Sequence, residues 1–397
     1  MFSLIRFIIG MLVLISTEAI IMADSTTPKS EGRAIWVVRW DVTNCDQVKN
    51  AVAYAKKNNF NTLVVQVRGR GDAYYNSHFE PRAEALTDPS FDPLQCYIDE
   101  GHKAGLRIEA WMNTHYTWGS EELPKSPDHI VNKHPEWLMH TRDNAVTLTA
   151  GGQSEGAYTC PSNPEVKEHV RNCFLDVAKN YDVDGIHFDF VRYPSVDYCF
   201  CDGCLSRFKE RMDKVTASDK IETLEAMKDR LAYTQAFPGE YDQFRRDQIS
   251  DLVGQIYRGA HLIKPGISVS ASVFPSYDDA YNHRFQDWKF WLRLGIVDEL
   301  FPMIYAQDTD TFVTNCEDAV KSANGRQVWA GIGSWRIPVE SAIEKIDKAR
   351  ELGVQGICLF SYGAATKDGT DDTYLAEIKK AVFQEPASIP EITWLKK

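Results

Sequence analysis

The sequence lacks an apolar run long enough to cross a membrane, and it has fewer basic than acidic residues. Its N-terminal apolar run, Phe7–Ile15, is short, whereas a membrane-spanning helix needs about 20 residues. Lys and Arg total 44 against 56 Asp and Glu, which gives a formal net charge of −12. Such a chain repels phosphate backbones, so nucleic acids and anionic membrane surfaces are poor partners. Internal repeats and low-complexity tracts are also lacking, which argues against a repeat architecture.

The N-terminus has the pattern of a targeting segment. Arg6 precedes the apolar run, and the small residues Ala19 and Ala23 follow it. This order predicts a secretory signal peptide over residues 1–23, cleaved after one of the two alanines. The alternative is an uncleaved membrane anchor, whereas a lipoprotein anchor has no cysteine after the run to support it. We therefore expect an exported protein, periplasmic or extracellular, without a membrane span after cleavage, with residues 24–32 as a linker.

From Arg33 onward, short β-rich runs alternate with longer helical patterns, which predicts βα units around a parallel sheet. The predicted strands are Ala34–Trp40, Thr62–Arg68, Arg107–Asn113, Gly185–Val191, Ser268–Phe274, Glu299–Tyr305, Gln327–Gly333 and Gly356–Tyr362. Helical patterns follow near 45–59, 92–105, 164–181, 244–264, 287–295, 311–323, 338–353 and 372–383. This count is that of an α/β fold of the (β/α)₈ TIM-like barrel type, predicted for 33–383 with a tail at 384–397.

Two connections in this pattern are long, and each follows a strand. They cover 114–163, after the third strand, and 192–243, after the fourth. In (β/α)₈ barrels the connections after strands converge on the C-terminal face, where active sites are built. We therefore expect these two long loops to shape a cleft.

The densest polar pattern runs from Asp184 to Pro194 and includes the fourth predicted strand. Side chains alternate along a strand, so His187 and Asp189 share one face, while Ile186, Phe188 and Phe190 share the other. The apolar face must meet the helices, which directs His187 and Asp189 into the barrel lumen. A buried carboxylate is costly unless it is hydrogen-bonded or used. Asp189 is therefore the leading catalytic candidate, and a structural Asp held by Arg or backbone donors is the alternative.

Other predicted strands also end in polar and aromatic residues that can serve a site. The third strand places Glu109, Trp111 and Asn113 on one face, with Glu109 beneath the strand end. On the second strand, Arg68 is predicted to pair with a lumen carboxylate and hold it ionised. The candidate substrate-binding residues are Arg39, Trp40, Arg68, Trp111, Asn113, His187, Arg192 and Tyr305.

The nine cysteines include a compact cluster, Cys199-Phe-Cys-Asp-Gly-Cys204. Three thiolates at this spacing suit a tetrahedral metal, typically zinc, which needs a fourth ligand. Cys160, on the other long connection, is the candidate for it beside Cys199, Cys201 and Cys204. Disulfide pairing and free thiols are the alternatives. Four cysteine ligands leave no open coordination position, so such a zinc would be structural and catalysis would need no cofactor.

The chain resembles the glycosylhydrolase-like "family 10" proteins of bacterial cell envelopes, which are distinct from the family 10 xylanases. The resemblance spans most of 33–383 and rests on seven motifs in order: Ile35-Trp-Val-Val-Arg-Trp40, Val65-Gln-Val-Arg-Gly69, Glu109-Ala-Trp-Met-Asn113, His134-Pro-Glu-Trp137, Asp184-Gly-Ile-His-Phe-Asp189, Arg192-Tyr-Pro194 and Phe301-Pro-Met-Ile-Tyr305. It implies a TIM-like barrel with glycosidase activity on a carbohydrate.

The same resemblance implies roles for single residues. It makes Asp189 the catalytic carboxylate and places His187, Arg192, Asn113 and Tyr305 at the sugar site. Many relatives have a second acid directly after the first, and here Phe190 stands at that position. The cysteine cluster is similar to the zinc site of family 42 β-galactosidases, in which a loop Cys followed by Pro, as at Cys160, completes the ligand set.

Hydrolysis of a glycosidic bond usually needs two carboxyl groups, so a second acid is expected near another strand end. Asp308, after the sixth predicted strand, is the leading candidate, and Asp278, after the fifth, is the next. Either can instead be a loop or helix N-cap residue.

The predicted function is hydrolysis of an O-glycosidic bond in an oligosaccharide or polysaccharide by a carboxylate pair. A non-catalytic carbohydrate-binding barrel is the main alternative, favoured by Phe190. A metal-dependent hydrolase is a third reading, but His187 and Asp189 are only two ligands, and no H-x-H or H-E-x-x-H motif accompanies them.

Overall fold

The computed structural model describes residues 30–151 and 154–396 and contains a closed barrel of eight parallel strands. The predicted signal peptide and most of the predicted linker lie outside the described residues. The strands are β1 (Gly32–Val37), β2 (Thr62–Arg68), β3 (Arg107–Asn113), β4 (Tyr116–Trp118), β5 (Ala157–Tyr158), β6 (Gly185–Asp189), β7 (Ser268–Val273), β8 (Glu299–Pro302), β9 (Gln327–Gly333) and β10 (Gly356–Phe360). The order around the barrel is β1-β10-β9-β8-β7-β6-β3-β2, and β4 and β5 form a separate antiparallel pair.

Helices follow the barrel strands along the chain. They are α1 (Cys45–Lys57), α2 (Pro93–Ala104), α3 (Ile130–Lys133), α4 (Pro164–Asn180), α5 (Asp202–Asp213), α6 (Ser218–Ala226), α7 (Ala232–Ala236), α8 (Pro238–Ile263), α9 (Tyr277–Asn282), α10 (Trp288–Leu294), α11 (Thr309–Lys321), α12 (Val339–Glu351), α13 (Tyr362–Thr366) and α14 (Thr373–Ala381). The predicted α/β fold, a (β/α)₈ TIM-like barrel, is confirmed. No helix within 30–151 and 154–396 has both the length and the apolar character needed to cross a bilayer.

The structure differs from the predicted elements mainly at strand ends and in the two long connections. β1 ends at Val37 because a 3₁₀ turn over Arg39–Asp41 replaces the predicted last residues of the strand. Segment 114–163 carries β4, β5 and α3, and segment 192–243 carries α5, α6 and α7. Both connections are therefore partly structured, since their apolar residues pack into the cores of the molecule.

The apolar core has two layers, separated by the wall of the barrel. The outer layer lies between strands and helices, and the inner layer fills the lumen with Trp36, Trp111, Phe301 and Trp329 among others. Trp329 packs so closely on its neighbours that a Cβ at Gly32 would lie 2.2 Å from its ring. A filled lumen is typical of these barrels and confines any ligand to one end.

A buried ion cluster occupies the lower lumen, near the strand starts. Arg107 Nη2 lies 2.5 Å from Glu299 Oε2 and 2.7 Å from Glu109 Oε1. Both glutamates are fully buried. Burial raises the pKa of Glu109 to about 7, although Arg107 opposes the shift. Glu109 thus belongs to the floor of the lumen rather than to the upper end of the strands.

The C-terminal segment crosses the N-terminal end of the barrel. Asn61 Nδ2 donates to the Ala387 carbonyl at 3.1 Å. Arg33 Nη1 donates to the Glu385 carbonyl at 2.7 Å, and Trp394 Nε1 donates to Asp298 Oδ1 at 2.7 Å. Because this segment covers the strand starts, the open end of the lumen is the C-terminal one.

Candidate active site

A cavity of about 330 Å³ opens at the C-terminal ends of the barrel strands. It lies above the filled lumen, where the connections after the strands converge. Its lining is aromatic and polar: Trp36, Val38, Arg39, Trp40, Gln66, Trp111, Asn113, Tyr116, Glu155, Asp189, Phe190, Arg192, Ser272, Met303, Tyr305 and Phe360. A volume in the range of about 300–1,000 Å³, with aromatic walls and a few convergent polar groups, is typical of a small-molecule site.

Asp189 is the last residue of β6 and lies in the wall of this cavity. Its side chain is almost completely buried, and Oδ1 accepts the backbone N–H of Phe190 at 2.6 Å. Burial raises the pKa of Asp189 to about 6, while Arg192 and the Trp111 indole oppose the shift. A carboxyl group with this pKa can hold or release a proton near neutral pH.

Phe190, next in the chain, does not face the helices as strand alternation predicted. The strand ends at Asp189, and Phe190 has a left-handed backbone with φ of 49°. Its ring therefore turns into the cavity, where it stacks on Tyr116 at a centroid distance of 4.8 Å. This turn directs Asp189 to the rim of the lumen and places an aromatic wall beside it.

Arg192 lies between two carboxylates of the cavity. Its Nη2 donates to Glu155 Oε1 at 3.2 Å, and its Nη1 lies 3.7 Å from Asp189 Oδ1. Within the described residues, Nε and Nη1 of this buried guanidinium have no hydrogen-bond partner. Arg192 is thus a cation with unused donors in a cavity wall, which suits a ligand that brings acceptors.

Glu155, a residue of the connection after β3, supplies the second carboxylate of the cavity. Burial alone would raise its pKa, but Arg192 and the Tyr158 hydroxyl, which donates at 2.8 Å, hold the pKa of Glu155 below its usual value. A single guanidinium contacts both Glu155 and Asp189, so their separation is within the reach of about 10 Å that a carboxylate pair needs. No strand pattern precedes Glu155, which is why sequence reasoning missed it.

The structure does not bring Asp308 or Asp278, the predicted partner acids, to this cavity. Asp308 is exposed and caps α11, since its Oδ1 accepts the backbone N–H of Thr311 at 2.7 Å, and these hydrogen bonds lower its pKa. Asp278 is exposed in the first turn of α9 and accepts from Asn282 at 2.8 Å. Both residues fulfil the common role of Asp at a helix start.

Five of the predicted substrate-binding residues line the cavity beside Arg192: Arg39, Trp40, Trp111, Asn113 and Tyr305. Trp40 is 57% exposed, so one face of its ring is free for stacking. Arg39 donates to Gln66 at 3.3 Å, and burial lowers its pKa. Asn113 accepts the Trp111 indole N–H at 3.0 Å, which fixes both side chains in the wall.

Arg68 was predicted to pair with a lumen carboxylate near the site, and the structure places it elsewhere. Its guanidinium is buried and forms a two-bond ion pair with Glu80, with Nε to Oε2 at 2.8 Å and Nη2 to Oε1 at 2.5 Å. It also donates to the Thr114 carbonyl at 3.0 Å. Glu80 lies in the connection after β2, and strand alternation cannot predict where the side chain of a residue in a connection lies. Arg68 therefore holds that connection rather than a substrate.

His187 lies beneath the cavity and not in its lining. Its Nε2 accepts the Trp36 indole N–H at 3.2 Å, so the neutral ring carries its proton on Nδ1. Nδ1 then donates to Ser270 at 2.7 Å, and Ser270 donates to Glu109 at 2.6 Å. Burial lowers the pKa of His187 to about 3. The residue thus acts as a neutral support under Ser272, which reaches the cavity floor.

The four predicted metal-ligating cysteines come together in one buried cluster. Cys160, Cys199 and Cys204 have sulfur atoms within 4.8 Å of one another, and Cys201 Sγ lies 3.7 Å from Cys160 Sγ. Four Zn–S bonds of about 2.3 Å at tetrahedral angles place sulfur atoms about 3.8 Å apart. The mutual approach of three sulfur atoms and the contact of the fourth with Cys160 suit a thiolate metal site, and the 3.7 Å between Cys201 Sγ and Cys160 Sγ exceeds a disulfide bond of about 2.05 Å.

A family model described as Glycosyl hydrolase-like 10 matches residues 31–344. The chain is 25% identical to glycosyl hydrolase YngK of Bacillus subtilis (strain 168), over 99% of this chain and 80% of that protein. It is also 25% identical to glycosyl hydrolase DigH of Escherichia coli (strain K12), over 72% of this chain and 64% of that one.

Solved structures share the barrel at low sequence identity. The glycoside hydrolase domain of PgaB (BpsB) from Bordetella bronchiseptica superposes with a TM-score of 0.66 at 10% identity, over 91% of this chain and 100% of that one. The catalytic domain of β-amylase from Paenibacillus polymyxa gives 0.65 at 15% identity, over 90% and 99%. At these identities the likeness bears on the fold alone.

Proposed function

This chain belongs to the glycosyl hydrolase-like 10 family, and on that premise we propose that it hydrolyses O-glycosidic bonds of an oligosaccharide or polysaccharide in the cavity that holds Asp189. One observation carries the proposal. Asp189 and Glu155 contact the same Arg192 guanidinium in one aromatic cavity, and their pKa values are shifted in opposite directions. Two carboxyl groups whose environments separate their pKa values are the pattern of an acid and base pair.

The roles follow from these shifts. Asp189, with its pKa raised, is the group that holds a proton and delivers it to the leaving glycosidic oxygen. Glu155, with its pKa lowered, is the ionised group that attacks the anomeric carbon or removes a proton from the attacking water. Arg192 keeps Glu155 ionised and offers unused donors to sugar hydroxyl groups.

Aromatic side chains give the cavity surfaces for sugar rings. Trp40 lies at the rim with its ring more than half exposed, and Trp111 lies deeper in the wall. Trp335 is 49% exposed and packs edge-on against Tyr305, which lines the cavity. A second exposed ring next to a lining residue favours a substrate longer than one sugar.

A non-catalytic carbohydrate-binding barrel is the second candidate. It is favoured by Phe190, which stands where many relatives have an acid, and by Glu155, whose side chain is 42% exposed. An exposed carboxylate on a connection is less firmly positioned than a group at a strand end.

Two measurements on a panel of glycans distinguish hydrolysis from non-catalytic binding: the release of reducing ends and the affinity for each glycan. We expect turnover by the wild type and a loss of about 10³-fold in Asp189→Asn, with binding retained, because general acid catalysis contributes roughly 10²–10⁴-fold. Binding by both proteins without turnover by either would replace hydrolysis with carbohydrate binding. Trp40→Ala is the companion variant, for which weaker binding is expected.

Two further parts of the proposal concern the cysteine cluster and export. Cys160, Cys199, Cys201 and Cys204 would hold one structural zinc, which would join the start of α5 to the segment after β5.

Arg6, the apolar run and the alanines after it support export with cleavage. An N-terminal sequence beginning after Ala19 or Ala23, in protein recovered outside the cytoplasm, is the expected result, and protein retaining Met1 there would contradict cleavage.

A further inference from the structure

Cys45 and Cys96 form a sulfur pair outside the metal cluster. Cys45 begins α1, and Cys96 lies in the first turn of α2. Their Sγ atoms are 3.4 Å apart, although 51 positions separate the residues in the chain. Both side chains are partly exposed, so a redox partner in solution can reach them. A disulfide needs the sulfur atoms to approach by about 1.4 Å more.

The pair lies where two helices hold the segment that carries cavity residues. Gln47 of α1 donates from Nε2 to the Trp40 carbonyl at 3.3 Å and accepts the Thr43 N–H at 2.8 Å. Tyr97 of α2 donates to the Asp41 carbonyl at 3.4 Å. Both helices therefore hydrogen-bond the segment between Arg39 and Asn44, close in sequence to the two cysteines.

We propose that Cys45 and Cys96 form a disulfide bond that joins α1 to α2 and fixes the segment bearing Arg39 and Trp40 at the cavity rim. The crosslink is separate from the zinc ligands and from the proposed catalytic groups. The disulfide can therefore be tested independently of glycosidase activity. The disulfide would hold Trp40 in the position that a sugar needs before the sugar binds. This lowers the entropic cost of ordering the Trp40 side chain on binding.

The chemistry is thiol–disulfide exchange with an external disulfide, either glutathione disulfide or the active-site disulfide of an oxidoreductase. The Cys45 thiolate attacks one sulfur of that disulfide, and the other sulfur leaves as a thiolate. The Cys96 thiolate then attacks the Cys45 sulfur and releases the second thiolate of the oxidant. The two protons lost by the cysteines end on the two thiols released, so two cysteines and one disulfide give one Cys45–Cys96 bond and two thiols.

The side chains around the pair favour Cys45 as the first thiol to react. Lys49, one turn further along α1, lies beside Cys45 and offers a positive charge to its thiolate. Burial together with Cys45 raises the pKa of Cys96 to about 12, although Lys49 opposes the shift. Glu100, the acidic neighbour on α2, adds to that shift. Cys45, whose side chain hydrogen-bonds the Lys49 ammonium group, is therefore the expected nucleophile.

The test starts from the purified protein, with its metal content unchanged, incubated with glutathione disulfide and then alkylated. We expect one linked peptide pair containing residues 45 and 96, two hydrogens lighter than the reduced peptides and restored by dithiothreitol. Alkylation of both thiols in folded protein, or separate glutathione adducts on both, would overturn the proposal. Cys45→Ser and Cys96→Ser each remove the link, and a link from either remaining cysteine to a third one would also overturn it.

The role of the bond has its own readouts. Closing this loop should raise the Tm of the oxidised wild type by roughly 5 °C relative to the reduced protein. Amide hydrogen exchange over residues 38–48 should slow in parallel. The double variant Cys45→Ser, Cys96→Ser is the matched control and should respond to neither oxidant nor reductant. A linked protein with unchanged Tm and unchanged exchange over 38–48 would contradict the anchoring role.

Discussion

Arg192 is the residue around which the candidate site is organised. It binds Glu155, lies beside Asp189, and packs its guanidinium 4.2 Å above the ring of Phe190. Without Arg192, the carboxylates of Asp189 and Glu155 would lie in the same cavity wall with no cation beside them. Repulsion between like charges and the loss of water would disfavour their ionised forms. The guanidinium keeps one of them ionised while burial keeps the pKa of the other high.

Replacing Asp189 with Asn should stabilise the protein at neutral pH. The pKa of Asp189 is about 6 in the folded protein, against an ordinary value of 3.8, so its ionisation opposes folding. Its favourable contribution is fully present below pH 4 and is lost as the pH rises through about 6. We expect Asp189→Asn to raise the free energy of unfolding by about 1–3 kcal/mol at pH 7.5. Denaturant unfolding at two pH values measures this.

The pH dependence of stability distinguishes the loss of an unfavourable buried charge from a general destabilisation caused by the substitution. At pH 4.5 the wild-type carboxyl is mostly protonated, so the gain from Asp189→Asn should shrink there. A variant that is less stable than the wild type by the same amount at both pH values would show that burial does not hold the pKa of Asp189 high.

Sequence reasoning succeeded at residues whose positions follow from strand alternation. Asp189, Trp111 and Asn113 lie at strand ends, where period 2 decides which face a side chain takes. It also directed Asp308, Asp278 and Arg68 to the site, but the structure places them outside the cavity lining, because a helix cap or a nearby connection satisfies these groups locally. Glu155 lies on a connection whose path is set by tertiary packing, so no local pattern identifies it.

At the scale of elements, β3 and β8 carry a buried charge cluster into the lumen. Arg107 begins β3 and binds Glu299, the first residue of β8, three strands away around the barrel floor. Ser268 at the start of β7 accepts a further hydrogen bond from the same guanidinium. These contacts join strand starts that are not neighbours in the sheet.

Arg107→Met should destabilise the barrel strongly, because it leaves Glu109 and Glu299 buried without their cation. The expected loss is about 3–5 kcal/mol in the free energy of unfolding. The matched control is the triple variant Arg107→Met, Glu109→Gln, Glu299→Gln, which removes the charges together and should recover much of the loss. Equal stability of Arg107→Met and the wild type in denaturant unfolding would show that the cluster does not stabilise the fold.

The proposed zinc would join the start of α5 to the segment after β5, so metal removal should lower stability. We expect about one zinc per chain by elemental analysis. Stripping it with a strong chelator should lower the Tm, because metal binding contributes to folding. Cys201→Ser should lower zinc affinity in the same way. Absence of zinc in folded protein, or a disulfide within the cluster, would contradict the proposed site.

The boundaries of elements were predicted less well than their existence. The predicted strand at Gly185–Val191 ends two residues early because Phe190 adopts a left-handed backbone. Segment 192–243 was predicted as a long connection, yet it contains three helices, α5, α6 and α7, and the first residues of α8, which begins at Pro238 and not near 244. Phe208 of α5 packs on Tyr241 and Phe244 of α8, and Leu224 of α6 is buried, so these helices share a small core that a search for βα repeats does not register.

For the whole molecule, the order of strands and helices was enough to predict the closed barrel. Eight β-rich runs separated by helical patterns leave few alternatives, since parallel strands need crossover helices. The lumen above the Arg107 cluster is filled by tryptophans, and the C-terminal segment covers the opposite end. The architecture therefore leaves one open face, and the cavity with Asp189 and Glu155 lies there.

Glu155, and not Asp308, is the proposed partner of Asp189 in hydrolysis. The most direct test is kcat/KM of Glu155→Gln and Asp308→Asn on a glycan that the wild type hydrolyses. Asn preserves the helix cap at position 308, so Asp308→Asn is a matched control. We predict a loss of roughly 10²–10⁴-fold for Glu155→Gln and near wild-type activity for Asp308→Asn. Full activity of Glu155→Gln beside a large loss in Asp308→Asn would contradict the account.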